Sequence, residues 1–265
     1  LAIMSPTVAC GQVMLSPAFE RSDAAEEKPP ANQSVTLFPR ESPDPKLHYR
    51  LWPAPEKRRS RSAMVAVNRA LLLVAQVPAA QKRRFLKGYD LWSTLPISRL
   101  PVEEAKSSCG AFRTAIELLR NGENWMDLKY DLGLEDMSSR EKIATLLPEY
   151  QEMRDLARLL CIRVRVAAAE QRWGDAVSDL RLGFRLSEVA SHGTNTLLSR
   201  LIGIAIADVM MDTIQTIIQE PECPNLYWAL AGLPVDRLFE TREALEYEST
   251  LASHIGNVAS LQELP

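Results

Sequence analysis

Glycine is scarce in this chain: 11 of its 265 residues, against the ~7% of an average protein. Phosphate-cradling loops and tight β-hairpins both use glycine for positive φ, so the shortage weighs against nucleotide-binding α/β folds and β-rich folds. Neither G-x-G-x-x-G nor G-x-x-x-x-G-K-[ST] occurs, which points the same way. Histidine is scarcer still. His48, His192 and His254 stand apart, with no H-E-x-x-H and no i+4 partner. There is no G-x-S-x-G elbow and no C-x-x-C. "DLKYDLGLED" at 127–136 begins like a calcium loop, but Leu132 stands where glycine is required and Ser138 where glutamate is. Adjacent Glu103 and Glu104 diverge by ~100° on a helix and do not form an acid/base pair. These absences leave the chain with no assigned catalytic residue, metal ligand or cofactor.

Charge of one sign is also lacking. Thirty-one basic residues face thirty-four acidic ones, for a formal net charge of −3. A polyanion has no global field to follow, so nucleic acid is not an expected partner. Two local basic clusters, "KRRSR" at 57–61 and "KRR" at 82–84, read as a solvated helix start and a solvated helix face. No aromatic residue interleaves with the first, so base stacking has no local platform.

The four cysteines, at 10, 109, 161 and 223, have no zinc spacing. Cys109 and Cys161 fall on apolar stripes and read as small buried hydrophobes. In an exported protein a Cys109–Cys161 or Cys161–Cys223 disulfide is compatible with the sequence, which does not set the pairing.

Three regions differ in composition. "LAIMSPTVACGQVML", residues 1–15, reads like the end of a signal peptide, and "TVAC" loosely resembles the box before a lipidated bacterial cysteine, here Cys10. Residues 16–46 are rich in proline, serine and charge, a linker that buries too little surface to order itself. From 47 to 262 the apolar residues take up helical spacing, and no segment past the leader is long enough to span a membrane.

In that body, "RSAMVAVNRALLLVAQV" sets Met64, Val67, Leu71 and Val74 on one stripe before Pro78. "PVEEAKSSCGAFRTAIELLRNG" reads as one helix from Pro101 to Asn121-Gly122, its core face running Val102, Ala105, Cys109, Phe112, Ile116, Leu119. A helix opening at Pro148 carries Met153, Leu156, Leu160, Val164 and Ala167 on one stripe. The next has a large-residue stripe, Val177, Leu180 and Phe184, beside a small one, Ala176, Gly183 and Ala190. Residues 197–211 are apolar nearly all round, the pattern of a central helix, with Gly203 and Ala207 allowing close approach.

Arg200 and Asp208 interrupt that apolar helix, placed to share one groove with Asp212. They read either as a ligand-binding polar groove or as a solvated or self-paired edge. His192, beside Gly193, suits a helix C-terminus, where a cation is favoured. "PNLYWALAGLP" at 224–234 reads as a short helix opened by Pro224 and closed by Pro234. Either it is a structural corner with Trp228 in the core, or Tyr227 and Trp228 are exposed binding anchors.

Two resemblances follow. Trp173, Ala176 and Gly183 occupy the places of the aromatic and small residues in the second half of a tetratricopeptide unit, with Gln171 where that family has its turn glycine. "LPEYQEMRDLARLLCIRVR", "GIAIADVM" and "PNLYWALAGLP" with the following "ALEYE" resemble a family of exported helical proteins of planctomycete bacteria. This second likeness spans about 47–250, implies an all-α body behind a signal sequence, and implies no catalytic residue.

The sequence therefore predicts an all-α fold of stacked antiparallel helical hairpins, an α-solenoid or irregular bundle of about eight helices. The leading expectation is a protein-interaction or scaffold module of the periplasm or cell envelope, partnered by another protein, with Tyr227, Trp228, Arg200, Asp208 and Asp212 as binding residues. The runner-up is a small-molecule or lipid carrier with a pocket lined by Phe112, Phe184 and the 197–211 helix. The third is an enzyme with a dispersed site.

Overall fold

The computed structural model describes residues 35–38, 49–128, 149–194 and 196–249, together with the helical backbone of 139–148. All belong to the compact unit Val35–Pro265. The leader with Cys10, most of the 16–46 linker, His48, His254 and residues from 250 onward lie outside the described residues.

The fold is all-α. Its helices are α1 (Ala63–Gln76), α2 (Ala79–Trp92), α3 (Val102–Gly110), α4 (Arg113–Gly122), α5 (Ser139–Ala169), α6 (Trp173–His192), α7 (Leu197–Ile217), α8 (Tyr227–Ala231) and α9 (Val235–Phe239). Residues 242–249 are helical as well. Proline sets several starts, because its fixed φ suits a helix entry and its missing N–H costs nothing there. Pro78, Pro101 and Pro234 stand immediately before α2, α3 and α9. At Pro78 the chain turns by 103° between α1 and α2.

Four expectations about the elements change. Helix α5 begins at Ser139 and runs through Pro148 instead of starting there. The segment expected as one helix from Pro101 to Gly122 breaks at Ala111–Phe112, where Phe112 adopts φ −105°, ψ 5°. Its apolar stripe is unbroken, with Ala105, Cys109, Phe112, Ile116 and Leu119 all buried, so periodicity gave no sign of the bend. The break lets α3 pack on α2 and α5 while α4 packs on α1. Phe112 fills the corner edge-on against Phe85, ring centroids 5.5 Å apart.

The third change is the basic run at 57–61. It forms a short strand, β1 (Arg59–Ser62), not a helix start. β1 pairs in parallel with β2 (Trp125–Asp127), and Arg61 lies 5.8 Å over the ring of Trp125. The aromatic platform absent beside this cluster in sequence is thus supplied by the fold.

The fourth concerns the centre of the molecule. Helix α7 is not wrapped on all sides, since Leu201 and Asp208 face solvent. The enclosed stretches are the part of α5 from Leu156 to Ala168 and most of α6. From Ala176 to Ser191, only Ser178 and Arg181 escape full burial. Helices α5, α6 and α7 pack mutually, with α6 and α7 meeting through small residues. A Cβ on Gly203 would lie 1.8 Å from Ser191 Oγ and 2.8 Å from the Ser187 carbonyl. Ser187 Oγ instead donates to the Gly203 carbonyl at 2.8 Å. A buried hydroxyl network, Tyr150 to Thr194 to Thr196 at 3.1 Å each, ties the α6–α7 turn to α5.

The α5–α6 turn explains one departure from the tetratricopeptide pattern. Gln171 takes φ 57°. Its N–H donates to the Ala168 carbonyl, and that of Arg172 to Ala167, closing a Schellman motif that normally uses glycine.

Candidate functional site

An open cleft of about 400 Å³ lies between the segment entering β1 and the short helix α8. Tyr49, Arg50, Trp52 and Arg58 form one wall, and Trp228 and Gly232 stand on the other. Helix α8 is docked by Leu226, Ala229 and Leu233, all buried, which leaves its aromatics facing outward. Tyr227 is 61% exposed and Trp228 48%. The two rings meet edge to face, centroids 5.0 Å apart, so each restrains the other. Pro224 does not open this helix. Leu226 stands at its N-cap, and Asn225 just before it accepts from the Tyr227 N–H through Oδ1 at 3.0 Å. The corner reading, with Trp228 in the core, is therefore incorrect.

Buried charge positions both walls. The guanidinium of Arg185 on α6 lies 5.4 Å beneath the Trp52 ring and donates to the carbonyls of Glu123 and Trp125, at 2.9 and 2.5 Å. It also pairs with Glu188, one turn along the same helix and fully buried. Arg237 of α9 reaches the other carboxylate oxygen at 2.5 Å. Glu188 is thus shared between the cation under one wall and the cation that holds α9, the element following α8. Desolvation, with Arg237 and Arg58 close by, pushes Arg185 down to about 10. Since that remains far above neutral pH, the guanidinium keeps its charge.

The residues of the expected polar groove separate. Arg200 is buried and spoken for: its guanidinium approaches His192 Nε2 at 2.8 Å and Glu243 at 3.1 Å. Asp208 and Asp212 lie ~12 and ~18 Å further along α7 and are exposed. Partial desolvation, and then the charge of Asp208, raise the Asp212 carboxyl. His192 is not the cation its place at the α6 C-terminus suggested. Burial, Arg200 and Arg237 drive it down to about 4. As a neutral ring it donates from Nδ1 to the Glu188 carbonyl, 3.1 Å away, and accepts from Arg200 at Nε2.

A second open cleft, of about 450 Å³, lies beside the α5–α6 turn, with Gln171, Trp173, Glu220 and Glu222 in its lining. A cleft of about 310 Å³ near Cys109 has Asp179 in its lining, and Asp179 is closed by Arg120 and Arg163 at 2.5 and 2.9 Å. Burial pushes the Cys109 thiol up to about 12, which removes it as a nucleophile. Cys109 and Cys161 are free thiols, and Cys109, Cys161 and Cys223 are all buried. The cavity beside Phe112 holds only about 20 Å³, room for one water rather than a lipid, and Phe184 is fully enclosed in the core. Among the described residues, no group of three or more His, Cys, Asp and Glu is arranged to hold a metal, and no single helix is long and apolar enough to cross a membrane.

Family models, curated proteins and solved structures give no match to the chain. The site therefore rests on its own geometry. Of the residues singled out in the sequence, Trp228 lies in its lining and Tyr227 stands next to it. Sequence reading missed Tyr49, Arg50, Trp52 and Arg58, whose only signal was an aromatic–proline run directly before the basic cluster.

Proposed function

We propose that this protein is a non-catalytic interaction module of the cell envelope that docks another protein through the Trp228 cleft. The observation that carries this reading is the exposure of two large aromatics on a helix already docked by three other residues. Burying Tyr227 and Trp228 would serve a partner rather than the fold, and aromatics in such settings are the usual anchors of an interface.

The test is a cross-linked capture from envelope extract of the source organism, with the full chain as bait beside a Tyr227→Ala/Trp228→Ala variant. A protein recovered by the wild type and lost from the still-folded variant is the expected result. Identical recovery by both would remove α8 from the interface and overturn the reading.

A further inference from the structure

We propose that the occupant of the Trp228 cleft is an extended acidic segment, its carboxylates paired with Arg50 and Arg58 and a flat or apolar side chain laid on Trp228. This rests on the docking reading above and adds the chemistry of what docks.

The argument is one of charge left over. Every charged side chain in the lining is a cation, Arg50 or Arg58. Arg50 has Glu56 at 4.0 Å, with both side chains more than half exposed, a pairing that contributes little. Arg58 is exposed and has no ion pair among the described residues. Behind the wall stand two more cations, Arg185 and Arg237, and the one buried carboxylate between them is already shared by both. The lining of the cleft therefore carries two arginines and no carboxylate, with the exposed Glu56 standing beside Arg50 outside it.

A guanidinium matches a carboxylate with two parallel N–H donors, and arginine loses less than lysine on leaving water. The positive strip continues past the cleft along Lys57, Arg59 and Arg61, all exposed. An extended peptide can place alternate acidic side chains along such a strip while its other side chains face the aromatics. Nucleic acid also carries anions and flat groups. Its affinity, however, comes from many phosphates neutralised together, and the chain as a whole has a net charge of −3. The cleft itself offers two arginines. That suits a few carboxylates better than a phosphate backbone.

Fluorescence anisotropy of the full chain tests this against three labelled probes. One is a ten-residue peptide pool with glutamate at alternate positions and Pro, Leu, Tyr or Gly between them. The second is the same pool with glutamine for glutamate, and the third a fifteen-residue oligodeoxythymidylate. The glutamate pool is expected to bind about tenfold tighter than the glutamine pool. The Arg50→Ala/Arg58→Ala variant should lose about that factor while keeping its circular dichroism melt, and Trp228→Ala should weaken both pools. Equal binding of the two pools that still depends on Trp228 would keep the docking surface and overturn its acidic preference. Binding of the oligonucleotide alone, or no binding, would overturn the proposal. Peptide binding unaltered by any of the substitutions would remove the docking reading with it.

Discussion

Arg200 and His192 face each other across the α6–α7 turn, guanidinium to Nε2, at 2.8 Å. This contact requires a neutral imidazole, because a protonated one has no lone pair to offer. An unfolded chain takes up that proton near 6.5, whereas the folded ring resists it down to about 4. In that interval the unfolded state binds more protons, so His192's contribution is complete above 6.5 and is lost as the pH falls towards 4. Thermal melts of wild type and His192→Gln across this range should converge at the acidic end. A constant gap between the curves would mean that the ring is charged in the folded protein.

Gln171 holds a conformation that costs an ordinary residue ~1–2 kcal/mol and a glycine nothing. Against this gain, glycine makes the unfolded chain freer by ~0.4–1 kcal/mol. Gln171→Gly is therefore expected to stabilise the protein by about 0.5–1 kcal/mol in urea titrations, and Gln171→Val to destabilise it by at least as much.

Two glycines at the α6–α7 contact should differ in their tolerance of a methyl group. At Gly203 the new carbon would meet a backbone carbonyl 2.8 Å away as well as Ser191 Oγ. At Gly183 it would meet only the side chain of Met210, nearest atom 2.1 Å, and methionine can swing aside. Gly203→Ala should cost ~1–3 kcal/mol. Gly183→Ala should stay within ~1 kcal/mol, helped by alanine's better helix propensity. Equal melting temperatures for the two variants would contradict this account of the packing.

Removing the carboxylate of Glu188 leaves Arg185 buried without its counter-ion. Glu188→Gln is expected to cost ~3–5 kcal/mol, and the loss should also disturb Trp52, which lies on Arg185. The exposed Arg113–Glu117 pair, 4.0 Å apart, provides the contrast. Replacing both by alanine should change stability by less than ~0.5 kcal/mol. Denaturant midpoints for the two variants decide whether the buried cluster carries the difference.

The helices and their core faces were legible because burial leaves a 3.6-residue stripe: Met64, Val67, Leu71 and Val74 are all buried, as are Met153, Leu156, Leu160, Val164 and Ala167. What was not legible depended on pairing. In helix α6 the stripes of large and small residues gave no sign that Asp179, Arg185 and Glu188 are buried too, each with opposite charges supplied by its own or other elements. Hydropathy has no means of pricing a charge whose partner lies sixty residues away. For the same reason Arg200 looked available for a ligand, when Glu243 and His192 already hold it. For Trp228 the sequence left core and exposed anchor both open, and the fold decides between them, since Leu226, Ala229 and Leu233 occupy the core without it.

The parallel pairing of β1 with β2 bears on how the molecule is made. Those strands enclose α1, α2, α3 and α4 between them, so they meet only after four helices have folded back on themselves. Such distant pairings form late, because the chain must close a long loop before any bond rewards it. The carbonyls of Glu123 and Trp125 come into place with that pairing, and with them the seat of Arg185 beneath Trp52. The seat under Trp52 is thus complete only when that pairing is made. Occupancy of the cleft would then report that two strands roughly sixty residues apart in the chain have met.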